Sequence, residues 1–189
     1  MQRILRGVFV LALVLVAGAC TSYASTMATA TYTATQATPG VYTYALTLNN
    51  TGTTNIGTFW FSWVPGAGFL TPVPSAYTSP AGWTYTATNA GAGIRWVTTT
   101  NLLAAGSSLS GFSFTSTETP DQLAAPRTVG AFTQPGAVSY VYEGAPLTTA
   151  SYQFVATPAA VAVTPEPGTL VLMLTGLSGI AVAARRRLA

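Results

Sequence analysis

The side chains that most often carry acid–base, nucleophilic or metal chemistry are scarce in this sequence. It contains no histidine, no lysine and a single cysteine, Cys20. A Ser-His-Asp or Cys-His arrangement therefore cannot be built, and imidazole or thiolate metal ligands are absent from the body of the chain after Cys20. We accordingly expect no catalytic residues, no metal site and no cofactor.

Three carboxylates remain in the body of the chain, namely Glu118, Asp121 and Glu143. A glycosidase needs two carboxylates about 5–10 Å apart across a sugar, and Glu118 and Asp121 are close in sequence. The intervening Thr119-Pro120 favours a polar turn around Pro120 over a catalytic pair. The alternative is a calcium site formed by the same two carboxylates together with loop carbonyl oxygens. The spacing of acidic residues in a calcium-binding loop does not support this alternative.

Aromatic side chains are the other candidate binding groups. Four tryptophans and nine tyrosines are available to line a sugar-binding face, but most of them fall at strand periodicity and are predicted to pack in the core. The tryptophans are Trp60, Trp63, Trp83 and Trp96. Phe69 and Tyr77, in the proline-rich stretch Pro65–Gly82, are the aromatic residues predicted to be exposed.

The distribution of charge excludes one class of partner. Charged residues make up 6% of the chain, and five of its arginines stand near the two ends. The body between Ser25 and Thr164 carries two arginines and three carboxylates, a net charge of −1. The pI near 9.2 therefore reflects the ends of the chain. Without a basic patch to neutralise phosphates, nucleic-acid binding is not expected.

The C-terminal segment has three parts in a fixed order. Pro165-Glu166-Pro167 is held extended, because each proline restricts its own φ and the residue before it. The uncharged apolar run Gly168–Ala184 follows, and its length is near the lower limit for a helix that spans a bilayer. Arg185, Arg186 and Arg187 then form a cytoplasmic stop-transfer signal by the positive-inside rule. We predict a transmembrane helix over residues 168–184.

These three parts closely resemble the PEP-CTERM sorting signal of Gram-negative bacteria. The resemblance implies that the chain is a substrate of exosortase, a membrane-embedded cysteine transpeptidase that cleaves near Pro165-Glu166-Pro167. It also implies transient retention in the inner membrane, followed by delivery to the cell surface or the extracellular matrix. Proteins with this signal typically occur in organisms that make exopolysaccharide or biofilm, so exopolysaccharide is the expected neighbour of the mature protein.

Residues 1–24 are predicted to be a secretory signal peptide. The positively charged Arg3 and Arg6 precede the apolar run Val8–Val16, and small residues precede the cleavage position. Both arginine-bearing ends of the chain should therefore stay cytoplasmic while the body is exported. A second interpretation makes Cys20 the acylated residue of a lipoprotein, because two small residues stand directly before it.

From Ser25 onward the chain alternates short β-prone runs with glycine, proline and asparagine, and it shows no helical period before Gly168. About nine strands are predicted, at the spacing of an antiparallel sandwich. The runs are Thr29–Thr35, Val41–Leu48, Ile56–Val64, Trp83–Thr88, Ile94–Thr98, Leu109–Thr115, Thr128–Phe132, Ala137–Tyr142 and Ser151–Ala156. Alternation places Phe59, Phe61 and Trp63 on one face and Trp60 on the other.

The predicted fold class is all-β: one antiparallel β-sandwich over residues 25–157, between an N-terminal signal helix and a C-terminal transmembrane helix. Residues 158–164 form a linker, and residues 165–189 form the sorting segment. Leu46–Gly52, with its Asn-Asn-Thr-Gly turn, and Ala105–Phe114 resemble in texture the immunoglobulin-like modules of bacterial extracellular proteins. That resemblance implies an immunoglobulin-like sandwich.

We therefore expect a secreted, non-enzymatic structural protein of the cell surface or extracellular matrix. The alternative is a carbohydrate-binding or adhesive module delivered by the same tail. A solvent-exposed row of aromatic side chains on one sheet favours the binding module, whereas burial of all the tryptophans favours the structural protein.

Overall fold

The computed structural model describes residues 25–144, 147 and 149–159, and regular structure in this range is almost entirely β-strand. The all-β prediction is confirmed; the predicted signal and transmembrane helices lie outside these residues. The strands are β1 (Ala28–Thr38), β2 (Val41–Asn50), β3 (Thr58–Phe61), β4 (Trp63–Val64), β5 (Ala67–Gly68), β6 (Ala76–Thr78), β7 (Thr84–Thr88), β8 (Gly93–Val97), β9 (Ser108–Ser116), β10 (Pro126–Val129), β11 (Phe132–Pro135), β12 (Val138–Tyr142), β13 (Ser151–Val155) and β14 (Thr157–Pro158). A short helix, α1 (Pro120–Ala124), stands between β9 and β10. Within the described part of the chain, no helix has the length and hydropathy that a bilayer span requires.

The described strands form two five-stranded sheets and two separate two-stranded pairs, β4-β5 and β10-β11. The first sheet has the order β14-β1-β2-β9-β6, and the second has the order β13-β12-β3-β8-β7. Neighbouring strands are antiparallel except β1 and β14, which form a short parallel pair. In β1 and β2, threonine alternates with apolar residues, so the two-residue period of a strand buries one face and exposes the other.

Aromatic side chains of one sheet contact those of the other. The ring of Phe112 on β9 lies 5.3 Å from Phe59 on β3 and 5.4 Å from Trp96 on β8, measured between centroids, and both contacts are edge-on. Phe114 lies 5.3 Å from Phe61. All five side chains are buried, in geometries that aromatic pairs favour. The apolar faces of the two sheets therefore form one core.

A β-bulge in β9 lets Phe112 reach that core. The register of β9 with β2 shifts where Leu46 pairs with Phe112 and Thr47 pairs with Ser110. Gly111 is the extra residue, at φ +98°, a conformation that glycine adopts without strain. Ser110 is therefore exposed while Phe112, two residues later, is buried.

The predicted strand Ile56–Val64 is interrupted at Ser62. Because Ser62 has φ +56°, β3 ends at Phe61 and Trp63 begins the separate strand β4. The prediction that Trp63 shares a face with the core phenylalanines of β3 is wrong, since the left-handed residue breaks the alternation. Trp63 is buried as predicted, but it stacks on Trp60 with a centroid separation of 3.9 Å.

The proline-rich stretch Pro65–Gly82, predicted to be an exposed loop, is partly buried. Its strand β5 pairs with β4, and β6 forms an edge of the first sheet. Phe69, predicted to be exposed, is fully buried in a small cluster with Val64 and Val138, because the chain folds back along β4. Tyr77 is half-buried on β6.

The predicted strand Thr128–Phe132 is instead the turn of a hairpin. β10 and β11 pair antiparallel on either side of Gly130, which has φ +59°. The glycine supplies the positive φ that a tight hairpin turn requires. A glycine in the middle of a short β-prone run was the available signal for this turn.

We expect Trp96→Ala to lower the free energy of unfolding by about 3–5 kcal/mol, the range for emptying a large aromatic site. Trp96 stacks on Phe59 at 5.5 Å, and its indole N–H donates to the Thr78 carbonyl at 2.9 Å. Urea unfolding followed by circular dichroism measures the change, and Tyr85→Ala, at a half-exposed edge position, is the control. A Trp96→Ala variant of near-native stability would contradict the packing described here.

Candidate functional site

The loop after β9 holds the buried carboxylate Glu118, whose side chain is 1% exposed. Its backbone N–H donates to Ser116 Oγ at 3.1 Å, and its carbonyl accepts the Tyr44 hydroxyl at 2.6 Å. Tyr44 is itself fully buried on β2. The loop is therefore tied to the centre of the first sheet.

Directly after Glu118, a capping box starts the helix α1. The Thr119 Oγ1 atom accepts the Gln122 N–H at 3.3 Å, and Gln122 Oε1 accepts the Thr119 N–H at 2.9 Å. Pro120 occupies the start of the helix, where its missing N–H costs nothing. The polar turn predicted around Pro120 is thus a short helix, and Asp121 lies in its first turn.

Arg127 of β10 is the counter-ion of Glu118, in the one ion pair found among the described residues. Its Nη2 atom contacts Glu118 Oε1 and the Gln122 carbonyl oxygen, and its Nη1 atom donates to the Phe69 carbonyl at 2.7 Å. A single guanidinium therefore joins β10, the helix α1, the loop after β9 and the segment after β5.

Burial raises the pKa of Glu118 above its ordinary value of 4.5, and the hydrogen bond and charge of Arg127 oppose this rise without cancelling it. Burial and the nearby Glu118 charge also raise the pKa of Tyr44. A raised carboxyl pKa is found in many catalytic acids. Here, however, the carboxylate is enclosed and bound to a cation, which is the arrangement of a structural ion pair.

A shallow cleft of about 370 Å³ opens beside this pair and is lined by Thr71, Gln122 and residues from Ala125 to Val129. Arg127 is the one charged residue of that lining. Its guanidinium is already bound to three oxygens. The cleft therefore offers no free charged group to a ligand.

The outer face of the second sheet carries a different cluster, which we call the transverse row. Thr86, Arg95, Trp60, Tyr140 and Gln153 lie side by side in register across the strands β7, β8, β3, β12 and β13. The Arg95 guanidinium lies 5.5 Å from the Trp60 ring centroid and donates to Thr86 Oγ1 at 3.3 Å. The Tyr140 hydroxyl donates to Gln153 Oε1 at 2.6 Å. Arg95 forms no ion pair with any described residue.

The aromatic members of this face are covered. Trp63 stacks on Trp60 and meets the Tyr140 ring edge-on at 5.7 Å. Trp60 and Trp63 are 5% and 4% exposed, and Trp83 and Trp96 of the core are buried as well. The sheet thus presents the polar ends of the transverse row to solvent, and not an open tryptophan platform.

The outer face of the first sheet, which we call the hydroxyl face, consists mainly of threonine and serine in cross-strand rows. The rows are Thr29-Asn49-Ser108, Thr31-Thr47-Ser110, Thr33-Ala45-Ser113-Thr78 and Thr35-Thr43-Thr115-Ala76. Ser108 donates to Asn49 Oδ1 at 2.6 Å, and the hydroxyls of Thr78 and Ser113 are 2.7 Å apart. No charged residue occurs in β1, β2, β6 or β9. The face is therefore neutral and rich in hydrogen-bonding groups.

We call the part of the chain that holds β1 to β14 the β domain. Comparison with known families adds the segment that follows it. Residues 163–187 match the model of the PEP-CTERM protein-sorting motif. The chain carries a PEP-CTERM sorting motif. The predicted resemblance is confirmed, and the match includes Pro165, Glu166 and Pro167 as well as the arginines 185 to 187. No curated protein and no solved structure matches the chain.

The PEP-CTERM motif indicates a secreted protein that exosortase processes at the membrane. It further implies export and a membrane-anchored precursor in a Gram-negative bacterium. The sorting residues, the arginines that follow them and Cys20 lie outside the described residues. Their predicted roles in cleavage, stop-transfer and lipidation stay predictions.

The sequence pattern located the carboxylates but not their partners. Glu118 was considered with Asp121, whereas the structure pairs Glu118 with Arg127. Glu143 is exposed after β12. The transverse row was not predicted, because its members come from five strands whose order was unknown. The one available signal was alternation, which sets Tyr140 on the opposite face of β12 from Val141.

We expect Arg127→Met to lower the free energy of unfolding by about 3–5 kcal/mol at pH 7.5, because it leaves the Glu118 carboxylate buried without a counter-ion. In the folded variant, the pKa of Glu118 should then rise further above 4.5. At pH values between the pKa of Glu118 in the unfolded state and its higher pKa in the folded state, the native state binds more protons than the unfolded state. The variant should therefore regain stability as pH falls from 7.5 to 5.

Urea unfolding of four proteins at both pH values tests this expectation: wild type, Arg127→Met, Glu118→Gln/Arg127→Met and the control Arg95→Met. The double variant should recover most of the loss, because it removes the uncompensated charge. A loss that does not change with pH, or a double variant as unstable as Arg127→Met alone, would refute the assignment of Glu118 as the buried partner.

Proposed function

We propose that this protein is a non-enzymatic structural component of the cell surface or extracellular matrix, associated with exopolysaccharide and biofilm, and that exosortase delivers it there. The observation that carries the proposal is the PEP-CTERM motif at residues 163–187. The motif accounts for delivery, and the surface of the β domain has to account for the role after delivery.

The proposed architecture is an antiparallel, immunoglobulin-like β-sandwich. Support comes from the two five-stranded sheets whose aromatic side chains meet in one core. Such a domain presents two sheet faces to solvent, in addition to its edges and loops. The proposed role in the matrix therefore depends on what those two faces present.

Two features of the β domain support a structural role. All four tryptophans are buried, which is the outcome expected for a structural protein. The hydroxyl face is neutral, so it offers hydrogen bonds to the hydroxyl groups of a hydrated polysaccharide matrix without any requirement for charge.

The proposal that the protein is not an enzyme rests on its side chains. Histidine and lysine are absent, and the buried Glu118 is bound to Arg127. The chain thus lacks the usual general base of acid–base catalysis, and its one buried carboxylate among the described residues is already paired.

The processing step is tested at Glu166, the charged side chain of Pro165-Glu166-Pro167. We expect Glu166→Ala to block maturation and leave a larger, membrane-bound form. Glu143→Ala, which removes an exposed glutamate of the β domain, is the matched control and should mature normally. Immunoblots of membrane and medium fractions from exosortase-positive and exosortase-deleted hosts measure both size and partitioning. The proposal fails if wild type and Glu166→Ala have the same size and partitioning in both hosts.

A second candidate function is carbohydrate binding, and the transverse row favours it. Arg95, Tyr140 and Gln153 place a guanidinium, a phenol and an amide along one line, which are groups that recognise sugar oxygens. The unpaired charge of Arg95 suits an acidic sugar such as a uronate. Burial of Trp60 and Trp63, however, removes the exposed aromatic platform on which sugars commonly stack.

Affinity electrophoresis distinguishes the two candidates. If the transverse row binds sugar, a gel that contains the acidic exopolysaccharide of the host should retard wild type, and Arg95→Gln should abolish the retardation. Thr33→Gln, on the opposite hydroxyl face, is the control and should migrate like wild type. Equal retardation of wild type and Arg95→Gln, each measured relative to a gel without polysaccharide, would remove carbohydrate recognition by this row.

A further inference from the structure

The edge strand β7 is unprotected. It is the last strand of the second sheet and, among the described residues, pairs only with β8. Its first four residues are exposed, and Tyr85 is 47% exposed. The outer side of β7 therefore presents a row of backbone N–H and C=O groups to solvent, and such a row is a template for pairing with another strand.

The other sheet edges are shorter or continued. β14 has two residues, the second of which is Pro158, and β6 has three residues between Pro74 and Pro80. The carbonyl of Thr78 on β6 also accepts the Trp96 indole N–H. The strand β13 is as long as β7, but it lies beside β1 of the first sheet and continues into β14, which joins that sheet. These are ordinary ways of blocking an edge.

None of those devices occurs in β7. Its sequence, Thr-Tyr-Thr-Ala-Thr, has no proline, no charge and no bulge in its pairing with β8. Arg95, the cross-strand partner of Thr86, lies on the face of the sheet, where its guanidinium contacts the Thr86 hydroxyl. Residues with high strand propensity and no charge are those that pair readily with a further strand.

The strand is also complementary to itself. If two copies pair antiparallel about Thr86, then Thr86 faces Thr86 of the second copy and Thr84 faces Thr88. Cross-strand threonine pairs of this kind stabilise a sheet. On the other face, the large Tyr85 lies opposite the small Ala87, so the two rings interdigitate without collision. This register uses all five residues of both strands.

An apolar surface borders the same edge. The Tyr85 ring stacks on Tyr77 of β6 at 4.9 Å and remains half-exposed. Val73 is 51% exposed and lies against Gly91, in the turn that follows β7. A second copy that pairs with β7 would cover this surface and so gain apolar burial in addition to backbone hydrogen bonds.

We propose that β7 is an assembly edge, through which two copies of this protein pair antiparallel about Thr86 to form one continuous ten-stranded sheet. The proposal goes beyond delivery and matrix association, because it supplies a way in which the domains themselves associate. It stands independently of exosortase processing, since every residue that carries it lies in the β domain.

Disulfide cross-linking of the full chain in the envelope of an exporting host tests the register. In a Cys20→Ser background, Thr86→Cys places the chain's one thiol on the two-fold axis. Paired Cα atoms across an antiparallel ladder are about 4.5–5.5 Å apart, within the range that a disulfide bridges. The matched control is Thr84→Cys, whose two copies would be about 14 Å apart, four residues along the strand.

We expect a cross-linked dimer for Thr86→Cys on non-reducing gels and monomer for Thr84→Cys. Co-expression of Thr84→Cys with a tagged Thr88→Cys chain should restore cross-linking, as a mixed dimer of intermediate size. Adding Tyr85→Lys to Thr86→Cys should abolish the dimer through charge at the edge, whereas adding Tyr85→Phe should keep it. Monomer for Thr86→Cys, or equal cross-linking for Thr86→Cys and Thr84→Cys, would overturn the proposal.

Discussion

The contact on which the fold depends is the insertion of Phe112 between aromatic rings on the opposite side of the core. Its ring meets Phe59, Trp83 and Trp96 edge-on, at centroid distances between 5.3 and 5.4 Å. The chain has a single cysteine and therefore no internal disulfide, and its described residues contain no network of ion pairs that could hold the sheets together. Burial and packing of these rings must supply most of the attraction between the sheets.

The backbone is arranged to make that contact. Gly111 adds one residue to β9, which turns Phe112 inward although the exposed Ser110 lies only two positions earlier. The indole N–H groups of Trp83 and Trp96 are bonded to backbone carbonyls of Asn101 and Thr78, so burying these large side chains leaves no donor unpaired. Glu118 and Arg127 then connect segments that strand pairing does not join, at the cost of removing a carboxylate from water.

The two outer faces differ in chemistry although both sheets share one core. The hydroxyl face offers short, neutral side chains, whereas the second sheet offers the transverse row, whose Arg95 forms no ion pair with the residues that the structure describes. The edge strand β7 borders the second of these faces. A surface with so little charge is suited to contacts made by hydrogen bonds and strand pairing, because neither contact depends on charge complementarity.

Short-range patterns in the sequence were sufficient for the fold class and the sorting signal. Pro165-Glu166-Pro167, an uncharged run and three arginines form a contiguous motif, so no tertiary information was needed to recognise it. Alternation likewise predicted β1, β2, β9 and β12, because a strand with one buried face has a period of two.

Features that depend on a single backbone angle or on strand order were decided only by the tertiary structure. The positive φ of Ser62 moved Trp63 out of the core and onto Trp60, and a fold-back buried Phe69. The pairing of Glu118 with Arg127 joins residues that no local pattern connects. The transverse row and the open edge at β7 exist only once the order of the strands is set, and that order follows from packing between distant segments of the chain, which alternation does not encode.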